Sequence, residues 1–376
     1  MLPPPLQPPA SPLSPPLSPF SPPPRGIAFA SNLLLFCIVA CFASTVEISS
    51  AIERKSKLAR GVVIALVFQF FLLPLVGFLA VRAYSLDRIE GIMLMVVVSS
   101  PGGAYSNWFC SLFNADLMLS VAATACSTLL SAAFMPLNLL LYLSASYGSD
   151  VLGELRWDLL IVSIAVVTAG VSCGIVLACR ISRLTRHEAD RRRAKRIRRR
   201  LGATGNLCGL VLIAFSAAFT SVNAPLWDKS LMFYCSTGTP ALVALILSVI
   251  LTQWPRLRLS PAERVAVTIE CLYQNSGISV SIAFSVFSGA DAARAAGTPL
   301  FYGLCQVILI PIFALAAWQL GWTYAPRTDH ICKVISTDYQ DRAAGGAVAT
   351  LQGTMPPVLT DLQSHPTDET ETATAP

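Results

Sequence analysis

The chain has 376 residues, 54% of them hydrophobic and only 13% charged, with a mean hydropathy of +0.61 and a formal net charge of +6. Soluble globular domains carry roughly 25% charged residues. Half that fraction, with repeated apolar runs long enough to cross a bilayer, makes this an integral membrane protein and excludes a large soluble α/β core, which would need frequent polar loops. The positive charge is local: eleven Lys and Arg with two acids lie between Arg180 and Arg200, a net +9 that leaves −3 for the rest. One basic loop beside the membrane argues against nucleic acid as a partner.

Residues 1–25 contain twelve prolines and predict an extended, disordered leader with neither the basic start nor the apolar stretch of a secretory signal. Nine spans are expected after it, at 26–51, 58–83, 89–113, 116–144, 157–180, 202–223, 230–253, 264–288 and 298–322, followed by a polar, disordered tail over 323–376. The fold class is therefore an all-α polytopic membrane protein with one transporter domain over 26–322. Basic loops at 53–60, 180–200 and 255–264 fall on one side of a nine-span topology, while those at 145–156, 224–229 and 289–297 are near neutral or acidic. The positive-inside rule then puts the C-terminus in the cytoplasm and the N-terminus outside, in a plasma or organelle membrane. The arginine cluster suits anionic lipid headgroups.

The eleven cysteines show no CxxC, and the three histidines (His187, His330, His365) fall in expected loops or the tail. A zinc site or a nucleophile–histidine pair inside the membrane therefore has no support, and an enzyme is not expected.

Two spans are broken. The third is interrupted at Pro101-Gly102-Gly103 and the eighth near "ECLYQNSG", 270–277. Unpaired backbone groups in hydrocarbon cost several kcal/mol each, so irregular backbone survives there only within protein or beside a polar cavity. Paired interruptions of this kind point to a secondary transporter built from inverted repeats. A plain proline kink does not explain the polar groups beside each break: Ser106 and Asn107, with Ser120 and Thr124 one turn apart in the next span, and Glu270, Gln274 and Asn275 at the other. The second span carries one strongly polar side chain, Gln69. A carboxylate at membrane depth costs about 2.5–3.5 kcal/mol on insertion scales and marks a functional site. With no Lys or Arg at that depth, Glu270 must be protonated or hold a cation. The neighbouring neutral oxygens suit a hard monovalent ion such as Na⁺, and half-helix N-termini can face an anionic substrate. These residues describe a cation-coupled solute carrier.

"QFFLLPLVGF", "SPGGAYSN", "LSVAATACSTLL" and "ECLYQNSG", in that order over residues 26–325, resemble the bile acid:sodium symporter family. The resemblance implies a panel domain from the first, fifth and sixth spans and a core domain from the others, with the broken helices crossing at its centre. It implies one sodium ion held by Ser106, Asn107, Ser120, Thr124 and Glu270. A second would share Glu270 and use Gln274, Gln69 and the carbonyls of Cys271 and Tyr273. Asn275, Pro101, Gly102 and Gly103 are the expected substrate-facing positions, and the substrate a small amphipathic organic anion such as a bile acid, sterol conjugate or small carboxylate. Leu272 and Tyr273 are bulkier than the small residues usual in the family. Three further readings remain in play here: proton coupling through Glu270, a non-transporting receptor or scaffold, and a cavity-lining role for Glu47. Trp108 and Tyr105 are assigned to packing rather than to substrate.

Overall fold

The computed structural model describes residues 25–44, 55–148, 157–183, 188–337 and 339–340. The proline-rich leader and Glu47 lie outside these residues, as does the tail from 341. The described chain is helical: α1 is Arg25–Ser44, α2 Lys55–Val67, then a π-helical turn Phe68–Leu72 that leads directly into α3, Leu73–Ala83. There follow α4, Arg88–Val98, α5, Ala104–Leu112, α6, Leu117–Tyr147, α7, Trp157–Arg183, and α8, Glu188–Asn223. The last set is α9, Leu231–Thr252, α10, Pro261–Leu272, α11, Ser276–Val286, α12, Gly289–Gln319, and the short α13, Ile331–Ser336.

Helix starts follow local capping chemistry. Asp87 and Asp116 accept backbone N–H bonds from Glu90 and Leu119 at 3.0 and 2.9 Å, opening α4 and α6. Ser260 and Glu263 form a reciprocal capping box at α10, each device satisfying N–H groups that a helix start leaves unpaired. Six helical stretches among the described residues are long and apolar enough to cross a bilayer: Ala59–Ala83, Leu117–Tyr147, Ile161–Arg183, Arg192–Val222, Leu231–Thr252 and Gly289–Gln319. Two shorter apolar stretches lie at Phe29–Cys41 and Ser276–Val286. The chain is a multi-pass membrane protein. The expected third and eighth spans are each two half-helices, α4 with α5 and α10 with α11, and neither half reaches across alone.

The helices around the breaks repeat an order. A span, a broken span and a 31-residue span containing proline occur first as α2–α3, α4–α5 and α6, then as α9, α10–α11 and α12. Contacts within this set enclose the most buried part of the protein, with α10 against α2, α5, α6 and α12. Helices α7 and α8 pack chiefly on α1, and the three meet the other helices through α11, with α7 also against α6 and α8 against α12.

Three expected boundaries are corrected. The basic segment 180–200 is not a loop throughout, because α7 runs to Arg183 and α8 begins at Glu188. Arginine, lysine and alanine are strong helix formers, so α8 extends the apolar span into a charged stretch and reaches about 54 Å at 1.5 Å per residue. Residues 289–297, expected as a loop, form the alanine-rich start of α12. The segment after residue 322, expected to be disordered, folds back onto the turn between α5 and α6. Asn114, fully buried with φ +56°, accepts from the Tyr339 N–H at 2.9 Å through Oδ1 and donates to the Val334 carbonyl at 3.0 Å. Its carbonyl accepts from the Tyr324 N–H at 2.9 Å. Val334 and Tyr339 bury against Trp318 and Ala325. Asparagine tolerates the left-handed conformation better than most residues, so one residue both makes the turn and binds the returning segment.

Asn114→Leu leaves two buried backbone groups without partners, each worth about 1–3 kcal/mol. Trypsin cleavage at Arg327 and Lys333 of the detergent-purified protein is therefore expected to accelerate at least about tenfold, with unchanged cleavage showing that Asn114 does not hold the segment.

Candidate functional site

The two broken elements cross backbone to backbone. Gly102 and Gln274 form an isolated antiparallel bridge, and the Asn275 N–H donates to the Pro101 carbonyl at 2.9 Å. The Gly102 N–H donates to Ser127 Oγ at 3.3 Å. Groups that proline and glycine release from helical bonding are thus re-paired inside protein, the condition for keeping such backbone at membrane depth.

Glu270, on the last turn of α10 and fully buried, lies beside this crossing. Ser106 Oγ approaches its Oε1 at 2.5 Å, Ser120 Oγ donates to the same oxygen, and Thr124 Oγ1 donates to Oε2 at 3.0 Å. Asn107 Oδ1 lies 2.8 Å from Ser120 Oγ and 3.4 Å from Thr124 Oγ1. Ser106 Oγ also lies 2.8 Å from the Gly103 carbonyl and 3.3 Å from Thr124 Oγ1. All five residues expected to share an ion are therefore in one cluster, drawn from α5, α6 and α10. Each hydroxyl carries one proton, so three protons serve seven oxygen contacts. Turning the Asn107 amide over would supply donors for two of them and still leave five contacts on three protons. Lone pairs facing lone pairs in a buried site call for a further positive charge.

A second set of polar groups sits beside the first. Gln69 is carried on the π turn, fully buried, and neither its Oε1 nor its Nε2 has a hydrogen-bond partner. Gln274 donates from Nε2 to the Cys271 carbonyl at 2.9 Å, while its buried Oε1 has no partner. Gln69 and Glu270 meet over Gly102: a methyl placed there would lie 3.1 Å from both Gln69 Nε2 and Glu270 Oε2, and 3.5 Å from Ser127 Oγ. The missing side chain of Gly102 thus leaves a small polar cradle between two broken helices. Unsatisfied buried polar atoms cost about 1–3 kcal/mol each, a cost that a bound cation removes for the two carbonyl oxygens. The donors are neutral oxygens around a single carboxylate, and no group of three or more His, Cys, Asp or Glu able to hold a metal occurs among the described residues. One negative charge and hard oxygens fit a monovalent hard cation better than a divalent or transition metal.

The remaining expected residues are accounted for individually. The Cys271 carbonyl faces Gln274, and the Cys271 side chain is buried. Tyr273 lays its ring over Gly103, where a methyl would stand 2.6 Å from Tyr273 Cε1, and neighbours Tyr105 and Phe109 with centroids 6.2 Å away. Its bulk is accommodated by glycine across the crossing. Asn275 caps α11, accepting from the Ile278 N–H at 3.2 Å. Pro101 borders a crevice between α6, α7 and α11 with Met135, Ser163 and Ile282. Trp108 is 53% exposed and leans on Phe109. Ser127 was missed by sequence reasoning, although its spacing of three from Thr124 and seven from Ser120 puts it on the same face of α6.

Residues 32–227 match the Sodium Bile acid symporter family. The chain belongs to this family. It is 29% identical over 211 residues to the hepatic sodium/bile acid cotransporter of Homo sapiens, covering 56% of this chain and 55% of that protein. It is 26% identical over 262 residues to the ileal sodium/bile acid cotransporter of Oryctolagus cuniculus, covering 67% and 69%. Similarity to the sodium-dependent organic anion transporter of Bos taurus is 23% over 265 residues, covering 69% and 65%. The chain thus spans about half the length of the human hepatic relative it matches. Membership accords with the multi-pass helices.

Gly102→Ala fills the cradle between Gln69 and Glu270 without disturbing a helix interior. The sodium concentration that half-saturates any sodium response is expected to rise at least about tenfold, equivalent to ~1.4 kcal/mol. Gly238→Ala, where a methyl would meet only Cys305 and Phe301 at 3.7 and 4.0 Å, is expected to leave it unchanged.

Proposed function

We propose that the protein is a sodium-coupled symporter of an amphipathic organic anion, such as a bile acid, sterol conjugate or small carboxylate. The observation that carries this reading is Glu270, a fully buried carboxylate surrounded by hydroxyl and amide oxygens. Its side-chain partners Ser106, Ser120 and Thr124 are all neutral, so its charge is balanced by what the solution provides. Two sodium ions are proposed. One lies among Ser106, Asn107, Ser120, Thr124 and Glu270. The other lies among Gln69, Gln274, Glu270 and the carbonyls of Cys271 and Tyr273.

Sodium is a co-substrate in this scheme. Its arrival neutralises Glu270 and draws α5, α6 and α10 together, because the ligands come from both broken elements. The anion then binds near the crossing, at Pro101, Gly102, Gly103 and Asn275, where the N-terminus of α11 offers partial positive charge. Alternating access follows if α1, α7 and α8 form one body and the helices around the crossing another, related by the repeated helix order. The N-terminus is assigned outside and the C-terminus to the cytoplasm from the basic loops. The chain's similarity to a sodium/bile acid cotransporter and a sodium-dependent organic anion transporter supports sodium and an organic anion as the coupled pair.

Uptake of radiolabelled taurocholate into proteoliposomes, driven by a NaCl gradient against choline chloride, tests the reading. Sodium-driven uptake should be present in the wild type and lost, by two orders of magnitude or more, on Glu270→Gln with insertion preserved; about 2.7 kcal/mol of lost ion binding suffices for that. Uptake driven by a pH gradient in sodium-free buffer would replace sodium by protons, and undiminished sodium-driven uptake by the variant would remove Glu270 from the coupling site.

A further inference from the structure

The π turn that carries Gln69 has a local cause and a distant support. Proline has no N–H and its ring clashes with the carbonyl four residues earlier. Pro74 therefore deprives Phe70 of its helical partner. The chain responds by widening one turn: Phe68–Leu72 is π-helical, and the Leu73 N–H donates to the Phe68 carbonyl five residues back. The widened turn shifts the phase of the residues before it by about 100° relative to α3. Both flanks are pinned. Gly61 of α2 sits tightly on Leu119, and Gly77 of α3 on Val98.

Asn138, 5% exposed on α6, donates from Nδ2 to the Phe70 carbonyl at 3.0 Å. Phe134, one turn earlier on α6, stacks on Phe70 at 5.0 Å and meets Phe71 edge-on at 5.6 Å. The carbonyl that Pro74 orphans is thus satisfied from the helix that also carries Ser120 and Thr124. Its immediate neighbour along the chain is Gln69, whose two amide atoms have no hydrogen-bond partner and whose Nε2 lies beside Gly102, as does Glu270 Oε2.

We propose that Asn138 is a positioning residue for ion coupling: its bond to the Phe70 carbonyl holds the π turn open and aims Gln69 into the cradle over Gly102. This inference rests on the sodium reading above. Without the amide, the buried Phe70 carbonyl loses its partner, the turn relaxes, and Gln69 rotates away from Glu270. Because α6 supplies hydroxyls to one ion cluster and the amide that orients the other, movement of α6 affects both.

The test is thermal unfolding of the detergent-purified full chain in a NaCl series, with choline chloride holding ionic strength constant. Asn138→Leu is expected to raise the sodium concentration for half-maximal stabilisation about tenfold, as for residues that orient metal ligands, and to lower the steepness of the response toward that of one ion. Pro74→Ala returns an N–H to Phe70 and is expected to shift the response in the same direction, so it carries the test if Asn138→Leu does not fold. Asn138→Gln retains an amide donor and should keep more of the response than Asn138→Leu. A purely structural role would lower the midpoint at every salt concentration without moving the half-maximal point, and that result in both Asn138→Leu and Pro74→Ala would overturn the proposal. A wild type indifferent to sodium would overturn the sodium reading and this inference together, whereas a responsive wild type with equally responsive variants would overturn this inference alone.

Discussion

A carboxylate buried at membrane depth without a basic side chain is the constraint on which the rest of the architecture turns. Glu270 can remain charged only if the protein surrounds it with donors and leaves room for a cation. The donors are Ser106, Ser120 and Thr124, on two different helices of the first half of the chain. Holding those helices against α10 requires α4–α5 and α10–α11 to break where they meet. Gly102 and Gln274 pair at that point, with Ser127 and Asn275 taking up further freed groups. The breaks are therefore part of the site. Their cost is offset by backbone pairing that would serve no purpose in two uninterrupted spans.

Close packing around the crossing has the same origin. A methyl at Gly102 would fill the cradle beside Glu270 and Gln69, and a methyl at Gly103 would strike the Tyr273 ring. Glycine in the sequence motif thus serves two geometries at adjacent positions: one keeps polar space open, the other admits an aromatic ring. The turn at Asn114 extends this organisation outward. It joins α5 to α6 and binds the segment that follows α12 through Val334, Tyr324 and Tyr339. The end of the described chain is in this way fastened to the link between two helices that supply hydroxyls to Glu270.

Much of the site was legible in the sequence because polar residues stand out in an apolar background. Depth and helical spacing picked out Ser106, Asn107, Ser120, Thr124, Glu270, Gln274, Asn275 and Gln69; the family resemblance grouped the first five, and the structure places those five in one cluster. Gln69 was visible as a lone amide, but its π turn was not. That turn depends on Pro74 removing a donor and on Asn138 supplying one from 64 residues away, a pairing with no local period. The basic stretch at 188–200 was misread as loop because charge was weighed over helix propensity, yet lysine, arginine and alanine continue α8 readily. The docking of Tyr324, Val334 and Tyr339 on Asn114 was hidden for another reason. Most of its hydrogen bonds end on backbone groups, which every residue carries. The helical content, by contrast, followed directly from hydropathy, the first interruption from proline and glycine, and the second from the polar residues of 270–277.

The most direct measurement is equilibrium binding of ²²Na⁺ to the purified protein, read by scintillation proximity and competed with unlabelled NaCl. Saturable binding by the wild type that disappears in Glu270→Gln, and that choline does not compete, is the result expected of a coupling site built on the crossing helices. Saturable binding retained unchanged by Glu270→Gln, or no saturable binding by a folded wild type, would contradict a sodium site at Glu270.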